Sequence, residues 1–342
     1  MTETPAKTGS SDTKTADTFA WLLGVAFCLG YVVLVAAVAP LLAPVAFKPD
    51  MGFLDYVWKL PDPTALSHAT AWGGYLLHQV TIWALIYRAQ SQGLSYGRVL
   101  HPVNVMALAA NGVFILLHLA QTHATYDGLA QDTPIWASQG SVIIMLVMIL
   151  IMENQRRGMF FGKSANIPEE AGRVLRKYHG YVFSWALIFT FWYHPMESTY
   201  GHLAGTFYTT IVMLQGSLMF TRMHVNRWWT MSLEVLVLFH GTSVALMSAK
   251  GAWAQFFFGF AAMFIVTQMH GLGLKRWQRW AFVGAYGAGV GVTYLFRGVG
   301  LFAEIIRVPA VEYMLVYLFA LAIWLGLLAA DRLIAKPAPA AG

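Results

Sequence analysis

The 342-residue chain is 58% hydrophobic, 15% aromatic and only 11% charged, against roughly 25% charged residues in an ordinary soluble domain. That composition excludes a soluble globular fold and predicts a polytopic membrane protein. The net charge of +6 would suit a polyanion partner in a soluble chain, but here Lys and Arg fall in the connections between apolar segments, where topology accounts for them and no nucleic acid is expected.

Residues 1–18 offer little to bury and predict a disordered cytoplasmic tail. The apolar run that follows is too long for a signal peptide, so an uncleaved first helix is expected. About twenty apolar residues cross a bilayer, and ten segments approach that measure: Phe19 to Pro44, Ser67 to Tyr87, Pro102 to Thr122, Ile135 to Met152, Tyr178 to Tyr193, His202 to Phe220, Trp228 to Ser248, Trp253 to His270, Trp280 to Phe296 and Val311 to Leu328. The fold class is therefore all-α: a single transmembrane helical domain of about ten spans over residues 19–334, with a second disordered cytoplasmic tail at 335–342. Cys28, the only cysteine, lies in the first segment. It excludes an intramolecular disulfide and any cysteine-based zinc or iron–sulfur cage, leaving His, Glu, Asp and Met as metal ligands.

Charge sets the orientation. Arg88 and Arg98, the basic residues between Arg156 and Lys177, then Arg222 and Arg227, then Lys275, Arg276 and Arg279 all fall on one side, while the alternate connections carry Asp55, Asp62, Asp127, Asp132 and Glu197, with few basic residues apart from Lys48, Lys59, Lys250, Arg297 and Arg307. The positive-inside rule then puts both termini in the cytoplasm of a bacterial-type inner membrane. The longest cytoplasmic connection, Glu153 to Lys177, holds Pro168 followed by Glu169 and Glu170, which predicts a short surface helix. In the ninth segment Gly284, Gly287 and Gly291 include a G-x-x-x-G step that lets another helix approach closely, within the chain, in a homo-oligomer or in a larger membrane complex.

The stretch Tyr178 to His240 concentrates chemistry: five histidines and two glutamates lie within three apolar segments. Ionisable groups are expensive at membrane depth, so such a crowd points to function. Placed by the rise of about 1.5 Å per residue, His118, His123, His194 and His202 gather at the outer side, with Glu197 in the turn H-P-M-E-S-T-Y-G-H. His240 lies slightly outside the midplane and His78 near it. His101, His179, His224 and His270 gather at the cytoplasmic side. In the third segment Asn104, Asn111 and His118 recur every seven residues and share one face, which must meet protein, water or a cofactor; amides that tie helices together are the plain reading of that stripe.

Three chemistries use these residues. Neutral imidazoles from two helices can bind haem iron from opposite sides, with His118 and His194, His202 or His240 as the outer pair and His179 with His224 or His270 as the inner one. Two such layers resemble transmembrane dihaem cytochromes in general plan, and the resemblance implies haem b and electron transport across the membrane, with a quinone as a possible partner. Alternatively His118, His123, His194 and His202, with Glu197 as ligand or base, suit iron, copper or zinc at the outer rim of an enzyme acting on a lipid-like substrate. His118 and His123 are five residues apart, so they converge only if the helix ends after Thr122. The H-x-x-x-H and H-x-x-H-H boxes of membrane desaturases are absent. The third possibility is a proton or metal-ion transport relay through His78, His118, Glu234 and His240, in which Glu234 is the acid–base group.

Overall fold

The computed structural model describes residues 16–49, 56–247 and 251–334, the last four by backbone alone. The predicted tails, apart from residues 16–18, lie outside the described residues. The described chain is all-helical, with α1 (Ala16–Val38), α2 (Ala65–Ser91), α3 (Pro102–Thr125), α4 (Ile135–Arg157), α5 (Glu169–Tyr193), α6 (Tyr200–Ser217), α7 (Arg227–Met247), α8 (Trp253–Val266), α9 (Arg276–Arg297) and α10 (Arg307–Ile334) in chain order. Each corresponds to one predicted segment. Five stretches, Ala16–Leu41, Pro102–Thr125, Ile135–Arg157, Arg227–Met247 and Val299–Ala330, are long and apolar enough to cross a membrane. The remaining helices are more polar or shorter: α8 has 14 residues, or about 21 Å of helix against a hydrocarbon core of about 30 Å. Large apolar side chains stand exposed on α1 (Leu22, Leu23, Val33) and on α10 (Met314, Leu318, Leu325), an arrangement that lipid accepts and water does not.

Two boundaries differ from the apolar pattern. Helix α1 already includes Ala16, upstream of the apolar run at Phe19, and its buried Asp17 is anchored: its Oδ1 accepts from the Thr18 N–H at 2.8 Å and its Oδ2 from the Met223 N–H at 3.2 Å. An acidic residue in the first turn also suits the helix dipole. The predicted surface helix after Pro168 is the opening of α5, which runs unbroken from Glu169 because no proline interrupts it before Tyr193.

The chain forms two compact units. The first comprises residues up to 142 and 180–247, and the second residues 143–179 and those from 248 onward. In the first unit α2 packs on α3, α3 on α6, and α6 on both α1 and α7. Polar side chains tie these helices at depth. Asn104 donates to the carbonyls of Ser217 and Met219, both at 2.8 Å, and Asn111 donates to Ser217 Oγ at 2.8 Å. The Tyr31 hydroxyl of α1 donates to the Ile115 carbonyl of α3 at 2.9 Å.

In the second unit α8 packs against α9 and α10. Phe258, Val290 and Tyr294 form its small core. Glu304, on a 3-10 stretch before α10, is 8% exposed and takes bonds from Tyr294 at 2.7 Å and Arg297 at 3.2 Å. Such a pair, once buried, is strongly destabilising to break. At Gly284, Gly287 and Gly291 an added Cβ would meet no other atom, so that face of α9 is open.

Candidate functional site

The ends of α3 and α5 and the start of α6 bring one polar cluster together in the first unit. Helix α5 stops at Tyr193 before His194 and Pro195, and Thr199 caps α6 by accepting the His202 N–H at 3.3 Å. The turn therefore folds back and sets the rings of His194 and His202 only 4.9 Å apart. Nδ1 of His194 lies 3.2 Å from the Pro195 carbonyl oxygen, to which it donates, so the Nε2 lone pair is available; Nε2 has no hydrogen-bond partner among the described residues. Nδ1 of His202 lies 2.7 Å from Thr199 Oγ1, and its Nε2 lies 2.9 Å from the Tyr56 hydroxyl. In both rings an oxygen of the same turn holds Nδ1, the kind of outer contact that orients metal-binding histidines. Burial lowers the His194 imidazole to about 4, so at neutral pH it is uncharged.

Aromatic rings wall the pair. Tyr56 lies 6.3 Å from the His194 ring and 5.3 Å from Tyr193, and Trp58 meets His202 edge-on at 5.0 Å. The segment carrying them is clipped in place, because the Gln131 amide both accepts from the Leu60 N–H and donates to the Leu60 carbonyl, each at 3.1 Å. Tyr126, in the left-handed conformation that ends α3 (φ 43°), donates to Glu197 Oε1. Burial, then Glu197, pushes the Tyr126 phenol up, and burial with Tyr126, Tyr193 and Glu197 nearby does the same to Tyr56.

His118 lies fully buried beneath this layer. Its Nε2 is 3.0 Å from the His194 carbonyl oxygen and its Nδ1 is 2.9 Å from Gln121 Oε1, while its ring sits 4.2 Å from that of Trp192. The Gln121 amide nitrogen donates to the Asp127 carbonyl at 3.2 Å, which fixes which end of the amide faces His118. Both ring nitrogens of His118 therefore face oxygen acceptors. His118, His202 and His240 each lie within electrostatic reach of His194. His240, on α7, stacks at 5.8 Å on Tyr208 and approaches α6 where Gly205 leaves room, and its buried Nδ1 has no hydrogen-bond partner.

The other predicted residues sit elsewhere. Helix α3 continues through Thr125, so His123 does not converge with His118; its ring nitrogens lie 2.9 Å from the Leu119 carbonyl and 3.1 Å from that of Val38. His179 and His224 belong to different units. Nδ1 of His179 lies 2.8 Å from the Arg176 carbonyl, and that of His224 lies 2.8 Å from the Gln215 carbonyl. Glu234 is on α7, within electrostatic reach of Tyr208. His78 is part of the helix ties: it accepts from Trp192 Nε1 at 3.2 Å and donates to Asn111 Oδ1 at 2.8 Å.

Tyr56, Trp58, Tyr126 and Thr199 were not among the candidates from the sequence. The signal was present for Thr199, which stands three residues before His202 as a helix cap, and faint for the aromatic loop around Tyr56. Among the described residues no three His, Cys, Asp or Glu side chains are grouped as a metal site, so any metal at this end would need a ligand of another kind beside the two imidazoles. No family model, curated protein or solved structure matches the chain.

Proposed function

We propose that the chain is a multi-pass protein of a bacterial-type inner membrane, crossing it about ten times with both termini in the cytoplasm, and that it is an oxidoreductase using a transition metal held by His194 and His202. One observation carries this reading: two imidazoles 4.9 Å apart, each with Nδ1 engaged by an oxygen of its own turn. Imidazole suits iron, copper and zinc; iron and copper supply electron transfer, and zinc in the same ligands would supply hydrolysis. His240, whose buried Nδ1 is unpartnered, lies within electrostatic reach of His194. Haem b through His118 is the weaker form of the proposal, since both ring nitrogens of that residue already face acceptors. Glu197, within the turn and bonded to Tyr126, is the acid–base group of this reading. The substrate or redox partner of such a centre would be a quinone or another lipid-soluble molecule arriving from the bilayer, and the open glycine face of α9 suits a second helix of another copy or of a membrane complex.

The test is metal analysis with a reduced-minus-oxidised visible spectrum on the full chain purified in mild detergent. Stoichiometric iron or copper is expected, lost in His194→Ala and His202→Ala and retained in His123→Ala. Stoichiometric haem would shift the assignment to the haem form, and zinc would replace redox with hydrolysis. A folded, colourless and metal-free protein that takes up none of these metals overturns the proposal.

A further inference from the structure

Resting on that reading of the His194–His202 pair, we infer that Tyr56 is a third ligand of the centre and binds the metal as a phenolate. The Tyr56 oxygen lies 2.9 Å from His202 Nε2, and its ring faces that of His194 at 6.3 Å with 29° between the planes. Two donor atoms bound to one metal at about 2.0–2.1 Å and a right angle stand about 2.9 Å apart. The Tyr56–His202 separation matches the edge that two such ligands would span on one ion.

The surroundings fix this phenol in place. The Gln131 clip on Leu60 holds the segment, and Trp58 packs between Phe47 at 4.9 Å and His202 at 5.0 Å. The Tyr56 hydroxyl meets His202 Nε2 while the other ring nitrogen is engaged by Thr199, so the phenol oxygen and the imidazole nitrogen share one small space beside the His194 ring. Two imidazoles and a phenolate favour ferric iron or cupric copper among the metals that histidine accepts. Binding releases the phenol proton to solvent, as deprotonated ligands require; burial and the nearby Glu197 favour the neutral phenol, so the charge of the bound cation is what must stabilise the phenolate.

The experiment adds ferric or cupric ions, one at a time, to metal-stripped full chain in detergent and records the visible spectrum and resonance Raman scattering. A phenolate-to-metal charge-transfer band that saturates at one equivalent is expected. Tyr56→Phe should abolish the band and weaken metal binding roughly tenfold or more, whereas Tyr126→Phe and Tyr193→Phe should keep it. If Tyr56→Phe does not fold, the last two variants still decide: a band surviving in both supports Tyr56, and one lost in either overturns it. Metal bound without a phenolate band overturns the Tyr56 ligand and leaves the two-histidine centre standing. No metal bound at all overturns both.

Discussion

The indole of Trp192 donates a hydrogen bond to Nδ1 of His78 across 3.2 Å, and its ring lies 4.2 Å from that of His118. Because an indole N–H only donates, His78 must accept at Nδ1 and donate from Nε2 to Asn111. Asn111 passes the direction on to Ser217, whose hydroxyl donates to the Met213 carbonyl at 2.9 Å. The chain therefore runs one way across α5, α2, α3 and α6 with every link satisfied, and its histidine is a neutral structural tie. Gly74 is what admits the indole, since a Cβ there would lie 2.1 Å from the Trp192 ring.

Trp192→Phe keeps a ring in the gap and strands the His78 acceptor. A buried acceptor left without a partner costs about 1–3 kcal/mol, and the unfilled part of the indole's volume adds to that. Denaturant unfolding in detergent should show the loss, with metal content per folded chain unchanged. Unaltered stability would mean that the tie contributes nothing.

Gly128 holds the connection after α3 against the end of α5. A Cβ at that position would lie 2.6 Å from the Tyr193 carbonyl oxygen and 3.1 Å from His194 Cα; both are backbone, which cannot swing aside. Gly128→Ala should therefore push the connection away from the His194 turn, lengthening the Tyr126–Glu197 contact. The expected readout is a metal affinity lowered roughly tenfold, beyond the 1–3 kcal/mol that overpacking costs in stability. Wild-type affinity in this variant would show that the turn is held by other contacts.

Asp127 is 2% exposed, and burial raises its carboxyl above the usual range. The folded chain then holds the proton more tightly than the unfolded one, so stability falls as pH climbs from about 4 through the raised value, and the full penalty is present above it. Asn in its place keeps an oxygen for the Gly128 N–H, which Asp127 now accepts at 2.8 Å. Asp127→Asn should unfold at a higher temperature than wild type at neutral pH, with the difference shrinking on acidification. A gap that does not vary with pH would rule out this origin.

Much of this was legible in the chain itself. Apolar runs mark where the helices lie, and the nine-residue turn from His194 to His202 keeps its two imidazoles together by sequence proximity alone. Asn104 and Asn111 share a helix face at seven-residue spacing, and both tie helices in the folded chain. Tyr56 was not legible, because it meets His202 across a separation of 146 residues, and no local pattern encodes that pairing. Nor was the rotation of α3: a helix that continues to Thr125 instead of ending at Thr122 sends His123 to the Val38 carbonyl of the first segment. Side-chain periodicity says which residues share a face, and packing decides what that face meets.

Gln131 offers the cleanest separation of stability from function. Its amide makes two hydrogen bonds to Leu60, four residues after Tyr56, and both are to backbone. Gln131→Ala removes the clip but leaves groups near the surface that water can satisfy, so the stability loss should be no more than about 1 kcal/mol. The segment bearing Tyr56 and Trp58 would then sample positions away from His202, and outer contacts of this kind typically govern 10–100-fold in metal affinity. The expected outcome is a fall in affinity within that range, together with a weakened phenolate band at partial loading that recovers at saturating metal. Equal affinity in Gln131→Ala and wild type would show that the aromatic segment does not contribute to the centre.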